Sequence, residues 1–582
     1  MKCQVGGEGR ILDARNARSG GVSAGSVIFS RLKALGVDYV FANSGTDFPP
    51  IIEGLAEAAA SGIALPQAIT IPHEHAALGM AHGYYFMSGK AQAVMLHTNV
   101  GLANGAIGAI NAATDHVPMV LMSGRTPTME KGRFGARTVP IGWGQEMRDQ
   151  AALVREAVKW DYELRFPEQI GEVLDRAHAI ANSTPKGPVY ISLPREVLSE
   201  NIDSSDITAT PLMAAAVAEP PVNAIAQAAE WLVNAKSPVI FVQRGAGDAD
   251  GFTALSALAR DYAIPVVHYW ATQIGIPTDH PMFAGANPDP WISEADAILV
   301  IDALAPWVPD IHVPCADARI IQLGPNPLFS RFPVRNFRSD LSITTETSAG
   351  IVALHEAMRR LADPEADGRR ARRASVEERT RAIREAAIAA AEQESGPVMS
   401  KAHVSWCLSR AIAKHEATVL SELGCPLAPM TLRAHKSWYQ EPHSGGLGWS
   451  LPCAMGMKLA RPDQLVIATL GDGSYMFANP VACHQIMEAY DIPVLILILN
   501  NAEWGAVRQS VTMLYPDGYA AKANQMPLTG LSPSPDFCKV AEASNAWARK
   551  VTDRTELPAM IEAAIAEVME NKRTALLDIR VA

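Results

Sequence analysis

Short apolar runs alternating with helix-like segments constrain this chain more than any other feature. Residues 37–42, 68–71, 93–96 and 119–122 read as strands. Residues 51–60, 74–87 and 101–113 read as the helices between them. Strands joined through helices pair in parallel, because the chain must cross over before it can run in the same direction again. Later strands such as 494–499 are apolar throughout, which suits a sheet covered on both faces. With 582 residues the chain exceeds what one core supports, and roughly 150 residues per domain predicts three or four units. Two breaks divide it. One follows the strand 189–193, near Pro194-Arg195-Glu196, before an Ala/Pro-rich stretch over 210–221. The other is 362–397, where Arg369-Arg370-Ala371-Arg372-Arg373 and an Ala/Glu/Arg run predict an exposed helical linker.

Composition excludes several classes. The net charge of −11 argues against a nucleic-acid or anionic-membrane surface. No apolar stretch approaches the ~18 residues of a membrane span. Seven cysteines without a C-x-x-C pair speak against a zinc ribbon or a disulfide scaffold and suit a reducing cytoplasm. The first residues mix Arg10, Arg15 and Arg18 with Glu8 and Asp13. They predict a flexible leader over 1–22, not a secretory signal.

The most informative motif follows the strand 465–470. It runs into Gly471-Asp472-Gly473-Ser474, then a helix-like segment over 475–490, then the strand 494–499 closed by Asn500-Asn501. Asp472 and Asn501 therefore sit at the carboxyl ends of two strands of one βαβ unit, where open α/β sheets bind ligands. A carboxylate and an amide oxygen suit Mg²⁺. Gly473 would let backbone N–H groups approach phosphate oxygens, and the following helix would add partial positive charge.

G-D-G followed at this distance by N-N resembles the signature of the thiamine-diphosphate-dependent enzymes, with benzoylformate decarboxylase and acetolactate synthase among them. The resemblance runs from about residue 23 to 581. It implies three doubly wound α/β domains: a pyrimidine-binding domain over 23–194, a central Rossmann-like domain over 195–361, the linker over 362–397 and a diphosphate-binding domain over 398–582. It implies thiamine diphosphate and Mg²⁺ as cofactors. The metal would be held by Asp472, Asn501 and the carbonyl of Glu503, with Gly473 and Ser474 at the diphosphate. Glu74, in Ile71-Pro72-His73-Glu74-His75-Ala76-Ala77, matches the glutamate that activates the aminopyrimidine ring. Gly445-Gly446-Leu447-Gly448-Trp449-Ser450-Leu451-Pro452 resembles the segment beneath the cofactor, with Leu447 as the apolar support and Gly445 accepting from the 4′-amino group.

The same resemblance implies decarboxylation of a 2-oxo acid through an enamine. It also implies a site shared between two chains, hence a homodimer or homotetramer. His97, in Met95-Leu96-His97-Thr98, matches the proton-transferring histidine of benzoylformate decarboxylase. Thr46 matches that enzyme's substrate-binding serine. Gln145-Glu146 with Lys159 leans instead toward acetolactate synthase, so an acetolactate-synthase-like carboligase is the alternative. That enzyme's flavin-binding segment has no counterpart here. The histidine pair of pyruvate decarboxylases is reduced to His116. In the central block, Gly245-Ala246-Gly247-Asp248-Ala249-Asp250-Gly251 misses the dinucleotide fingerprint by one residue and reads as a turn. Trp307 is a candidate for the pocket wall or for the core. Two other readings stay open. A non-catalytic cofactor scaffold is disfavoured by intact Glu74 and Asp472. A nucleotide-dependent oxidoreductase would carry a flavin spectrum.

Overall fold

The computed structural model describes residues 22–202, 213–364, 367–396 and 398–582. The expected leader, apart from Val22, lies outside the described residues.

Three parallel sheets follow one another along the chain. The first comprises β1 (Tyr39–Ala42), β2 (Gln67–Thr70), β3 (Gln92–Leu96), β4 (Met119–Arg125), β5 (Asp161–Glu163) and β6 (Pro188–Pro194), in spatial order β2-β1-β3-β4-β6-β5. The second has β7 (Pro238–Val242), β8 (Val266–Val267), β9 (Ala297–Ile301), β10 (Arg319–Gly324) and β11 (Leu341–Thr344), in order β8-β7-β9-β10-β11. The third has β12 (Ala417–Glu422), β13 (Trp438–Gln440), β14 (Leu465–Gly471), β15 (Leu495–Asn500), β16 (Trp547–Val551) and β17 (Ala575–Arg580), in order β13-β12-β14-β15-β17-β16. The outer two sheets thus share one strand permutation. Their central strands are buried along their length, as helices on both faces require. In each sheet the order reverses between the first strand and the third, and that switch point opens a crevice at the carboxyl edge.

The expected helix over 475–490 is two helices, Asp472–Phe477 and Pro480–Ala489. Asn479 between them takes a left-handed conformation, and Pro480 cannot extend the preceding turn. The helix expected from Gly101 begins earlier, at Thr98, directly after β3. The linker forms the helix Asp367–Glu392. It is not simply exposed: Arg372 donates to the carbonyls of Ala235 and Tyr262, and Arg384 to those of Thr278 and Met430. It therefore ties the second sheet's block to the third's.

At the second sheet's switch point Arg244 and Asp302 form a buried bidentate pair. Burial alone would raise the Asp302 pKa, but Arg244 outweighs it and the pKa is lowered. Asp248 caps the helix Ala249–Tyr262 by accepting from the N–H groups of Asp250 and Gly251. Of the Gly245–Gly251 segment only residues 245–248 form the expected turn; Ala249–Gly251 already open the helix. Trp307 is core: it is 4% exposed and packs edge-on to Phe241 and Phe337. No helix among the described residues is long and apolar enough to cross a membrane.

Candidate active site

Every site residue expected from the sequence, the Gly445–Leu447 loop aside, lies at the carboxyl edge of an outer sheet. On the first sheet, Asn43 follows β1, Glu74 opens the helix after β2, and His97 follows β3. On the third, Asp472 follows β14 and Asn501 follows β15.

Glu74 is the first residue of the helix Glu74–Ser88. Its Oε1 accepts from Asn43 Nδ2 at 2.9 Å, and its Oε2 from the Asn104 amide. The acid is thereby fixed in orientation by two neutral donors. The flanking histidines part. His73 holds the N-cap position without a side-chain cap, and its Nε2 lies 3.4 Å from the Asn104 amide that also serves Glu74. His75 is buried toward the backbone of Leu447 and Gly448, and burial lowers its pKa to about 4. No cluster of three His, Cys, Asp or Glu residues suits a metal among the described residues.

His97 stands at the first sheet's switch point. Its Nδ1 lies 2.5 Å from Asp47 Oδ1, and its Nε2 lies 3.0 Å from the Gln145 amide. The Asp47 hydrogen bond raises the His97 pKa, against partial burial that would lower it. Asp47 is 4% exposed and also accepts from the Thr98 N–H. Two glycines make room for this couple. A Cβ on Gly45 would stand 2.1 Å from the His97 ring, and one on Gly124 would stand 1.5 Å from Asp47 Oδ2. Thr46, Asp47 and Gln145 line one polar recess with Arg137 and Arg195. The Thr46 side chain is exposed, and its carbonyl accepts from Arg195. Sequence reading missed Asp47, although it directly follows the Asn43–Thr46 turn. His116 is the opposite case. It is buried beside Arg244 and Phe329, and burial first, then Arg244, lowers its pKa to about 3.

The third sheet carries an all-oxygen donor set. Asp472 is 2% exposed, its Oδ2 has no hydrogen-bond partner, and burial raises its pKa. A buried orphan carboxylate oxygen is costly without a cation beside it, so it fits a divalent metal. The two asparagines divide their labour. Asn500 is structural: its Nδ2 donates to Asp578 at 2.9 Å and its Oδ1 accepts from the Ala502 N–H. Asn501 is only partly buried, and its Oδ1 accepts from the Glu503 N–H. The Glu503 carboxylate is held by Arg508 and Thr529, and its carbonyl accepts from the Gly505 N–H at 2.8 Å, which leaves one lone pair of that oxygen for a metal.

Gly473 owes its lack of a side chain to a neighbour: a Cβ there would meet the Trp504 ring at 2.3 Å. The Ser474 hydroxyl, expected at the diphosphate, lies near the Glu422 carboxyl and helps to hold its pKa down. Glu422 is a second residue that sequence reading missed. It ends β12, is fully buried, and accepts from the N–H groups of Gly448 and Ser450 at 2.6 and 2.7 Å. It thereby fastens the end of the Gly445–Leu447 loop to the end of β12. Gly445 turns that loop with φ +68°, and Leu447 is partly exposed.

Among the described residues no hydrogen bond or ion pair joins Glu74 or His97 to Asp472 or Asn501. The two halves of the expected site stand on separate sheets.

Family models match both halves. The N-terminal TPP-binding domain of thiamine pyrophosphate enzymes matches residues 22–153, the central domain 225–343, and the C-terminal TPP-binding domain 424–579. The chain belongs to the thiamine-diphosphate-dependent enzymes. Thiamine diphosphate is its cofactor, and its chemistry is cleavage or formation of a carbon–carbon bond. It is 26% identical over 560 residues to benzoylformate decarboxylase of Pseudomonas aeruginosa, covering 93% of this chain and 96% of that one. It is 25% identical to the mitochondrial acetolactate synthase catalytic subunit of Saccharomyces cerevisiae, covering 96% and 81%. The fold matches the thiamine-diphosphate-dependent 4-hydroxybenzoylformate decarboxylase of Rhodococcus jostii with a TM-score of 0.76 at 24% identity, covering 96% of this chain and 99% of that one.

Proposed function

We propose that this enzyme decarboxylates a 2-oxo acid with thiamine diphosphate and Mg²⁺ and releases the product as an aldehyde. The observation that carries the reading is the Asp47–His97 couple, which gives the first sheet's crevice a histidine oriented by a buried carboxylate that raises its pKa. A proton donor there suits release of a protonated product. Bound thiamine diphosphate supplies the electron sink for loss of CO₂. Glu74 hydrogen-bonds the aminopyrimidine ring. Leu447 would support the cofactor, and the Gly445 carbonyl would accept from its amino group. Asp472, Asn501 and the Glu503 carbonyl hold Mg²⁺ against the diphosphate near Gly473 and Ser474. His97 gives and takes the substrate's proton, with Thr46 and Gln145 beside it.

The family resemblance supports a site completed by a second copy, hence a homodimer or a homotetramer. The alternative is a carboligase that passes the acyl unit to a second carbonyl. It draws on the acetolactate synthases among the relatives. Incubation with thiamine diphosphate, Mg²⁺ and a panel of 2-oxo acids tests the reading. CO₂ with stoichiometric aldehyde supports it, whereas CO₂ with a coupled hydroxyketone favours the carboligase.

A further inference from the structure

A cavity of about 370 Å³ opens at the carboxyl ends of β12 and β13, beneath the central block's 268–271 segment. Its lining includes Leu423, Cys425, Glu441, Trp270 and one cationic side chain, Lys401. Lys401 is the first residue of the helix Lys401–Ala411, after the capping Ser400. A cation in the first turn opposes the helix dipole, so its position does nothing for the helix. Its ammonium is partly buried and donates to the Leu423 carbonyl at 2.5 Å. Leu423 offers that carbonyl from a left-handed backbone at φ +53°.

No carboxylate stands within ion-pair distance of Lys401 among the described residues. The groups that favour its charge are the Cys425 thiol first, then the carboxylates of Asp472 and Glu441. Glu441 is turned to the Leu423 N–H. Asp472 is the expected metal ligand. Burial disfavours the charged ammonium, and these groups only partly offset that. A half-desolvated cation with one neutral acceptor, facing a cavity whose wall at Leu423 bridges to Leu470, two residues before Asp472, calls for an anion.

We infer that Lys401 is a binding residue for the diphosphate of thiamine diphosphate, reaching it from the β12 side while Asp472 reaches it through the metal. The inference rests on the cofactor assignment of the Asp472 and Asn501 loop ends proposed above. It adds a ligand that the expected donor set did not contain.

Titrating apo protein with thiamine diphosphate and Mg²⁺, followed by tryptophan fluorescence, tests it without turnover. Lys401→Met should weaken thiamine diphosphate binding by about 10- to 100-fold, the scale of one charge-assisted contact. Binding of thiamine, which lacks phosphates, should stay unchanged. Lys401→Arg should retain most of the affinity. The Met variant should melt no earlier than wild type, since a charge unfavourable to the helix is gone. Wild-type affinity for thiamine diphosphate in Lys401→Met would overturn the inference. The same affinity with a raised KM for the 2-oxo acid would overturn it in favour of a substrate-carboxylate contact. A wild-type protein that binds no thiamine diphosphate would overturn the loop's assignment as well, which keeps the two failures apart.

Discussion

Asp47 Oδ1 lies 2.5 Å from His97 Nδ1, so the histidine is held by a buried carboxylate on one side while its Nε2 faces Gln145. The couple resembles other acid-oriented histidines in outline: the carboxylate fixes the ring and favours its cationic form.

Asp47→Asn removes the charge and keeps the shape. His97 then loses the interaction that raises its pKa. A proton donor works only below its pKa, so the alkaline limb of the kcat profile should move to lower pH. At neutral pH the rate should fall by about 10- to 100-fold. An unmoved alkaline limb would remove Asp47 from the proton path. His97→Ala should slow the steps after substrate addition more severely, by roughly 10²–10⁴-fold.

Glu74→Gln removes the charge and turns one acceptor oxygen into a donor, so Asn43 or Asn104 must turn its amide over to keep holding the side chain. Cofactor should still bind. Deuterium exchange at the thiazolium carbon should drop by about 10²-fold or more. Exchange at the wild-type rate would show that a different group activates the ring.

The Asn500–Asn501 pair gives a contrast within two residues. Asn500→Ala strands Asp578, whose pKa burial already raises, and should cost about 1–3 kcal/mol in unfolding experiments. Asn501→Ala should leave the melting point nearly unchanged yet weaken Mg²⁺-dependent cofactor binding. Asp472→Ala should abolish it, and excess Mg²⁺ should not restore it. Equal melting points for the two asparagine variants would contradict this division of roles.

Acid should destabilise the folded chain through its buried histidines. Burial lowers the pKa of His75 and His484 to about 4 and of His116 and His268 to about 3. The unfolded chain takes up these protons near pH 6.5, and the folded chain refuses them until far lower. Stability is thus fully present above pH 6.5. Each such group should withdraw about 1.4 kcal/mol per pH unit below it, until its folded pKa is reached. Calorimetry from pH 7 to pH 4 should show a falling midpoint; a flat one would mean these imidazoles are solvated.

The βα alternation and the carboxyl-edge placement of Glu74, His97, Asp472 and Asn501 were legible because apolar runs and turn residues are local signals. So was the repeated strand–polar turn–helix habit of the outer blocks, which appears as one shared strand order. Asp47 and Glu422 were not legible. Each acts through partners distant in sequence, His97 for one and Gly448 with Ser450 for the other, and no spacing rule encodes such meetings. The break at Asn479 was overlooked because Pro480 was read as part of a helix rather than as its start. Trp307 was ambiguous because an aromatic residue after a strand suits a core and a pocket equally.

The two half-sites on separate sheets carry a genetic consequence. If the halves meet only between copies, Glu74→Gln and Asp472→Ala are inactive alone but not equivalent. A mixed dimer of the two holds one doubly damaged centre and one intact centre. Co-expressed at equal levels, the two inactive alleles should complement each other, and about a quarter of the wild-type activity should return under random pairing with independent centres. Separately purified homodimers that never exchange subunits should stay silent, so the rate at which activity appears on mixing would time the exchange of chains.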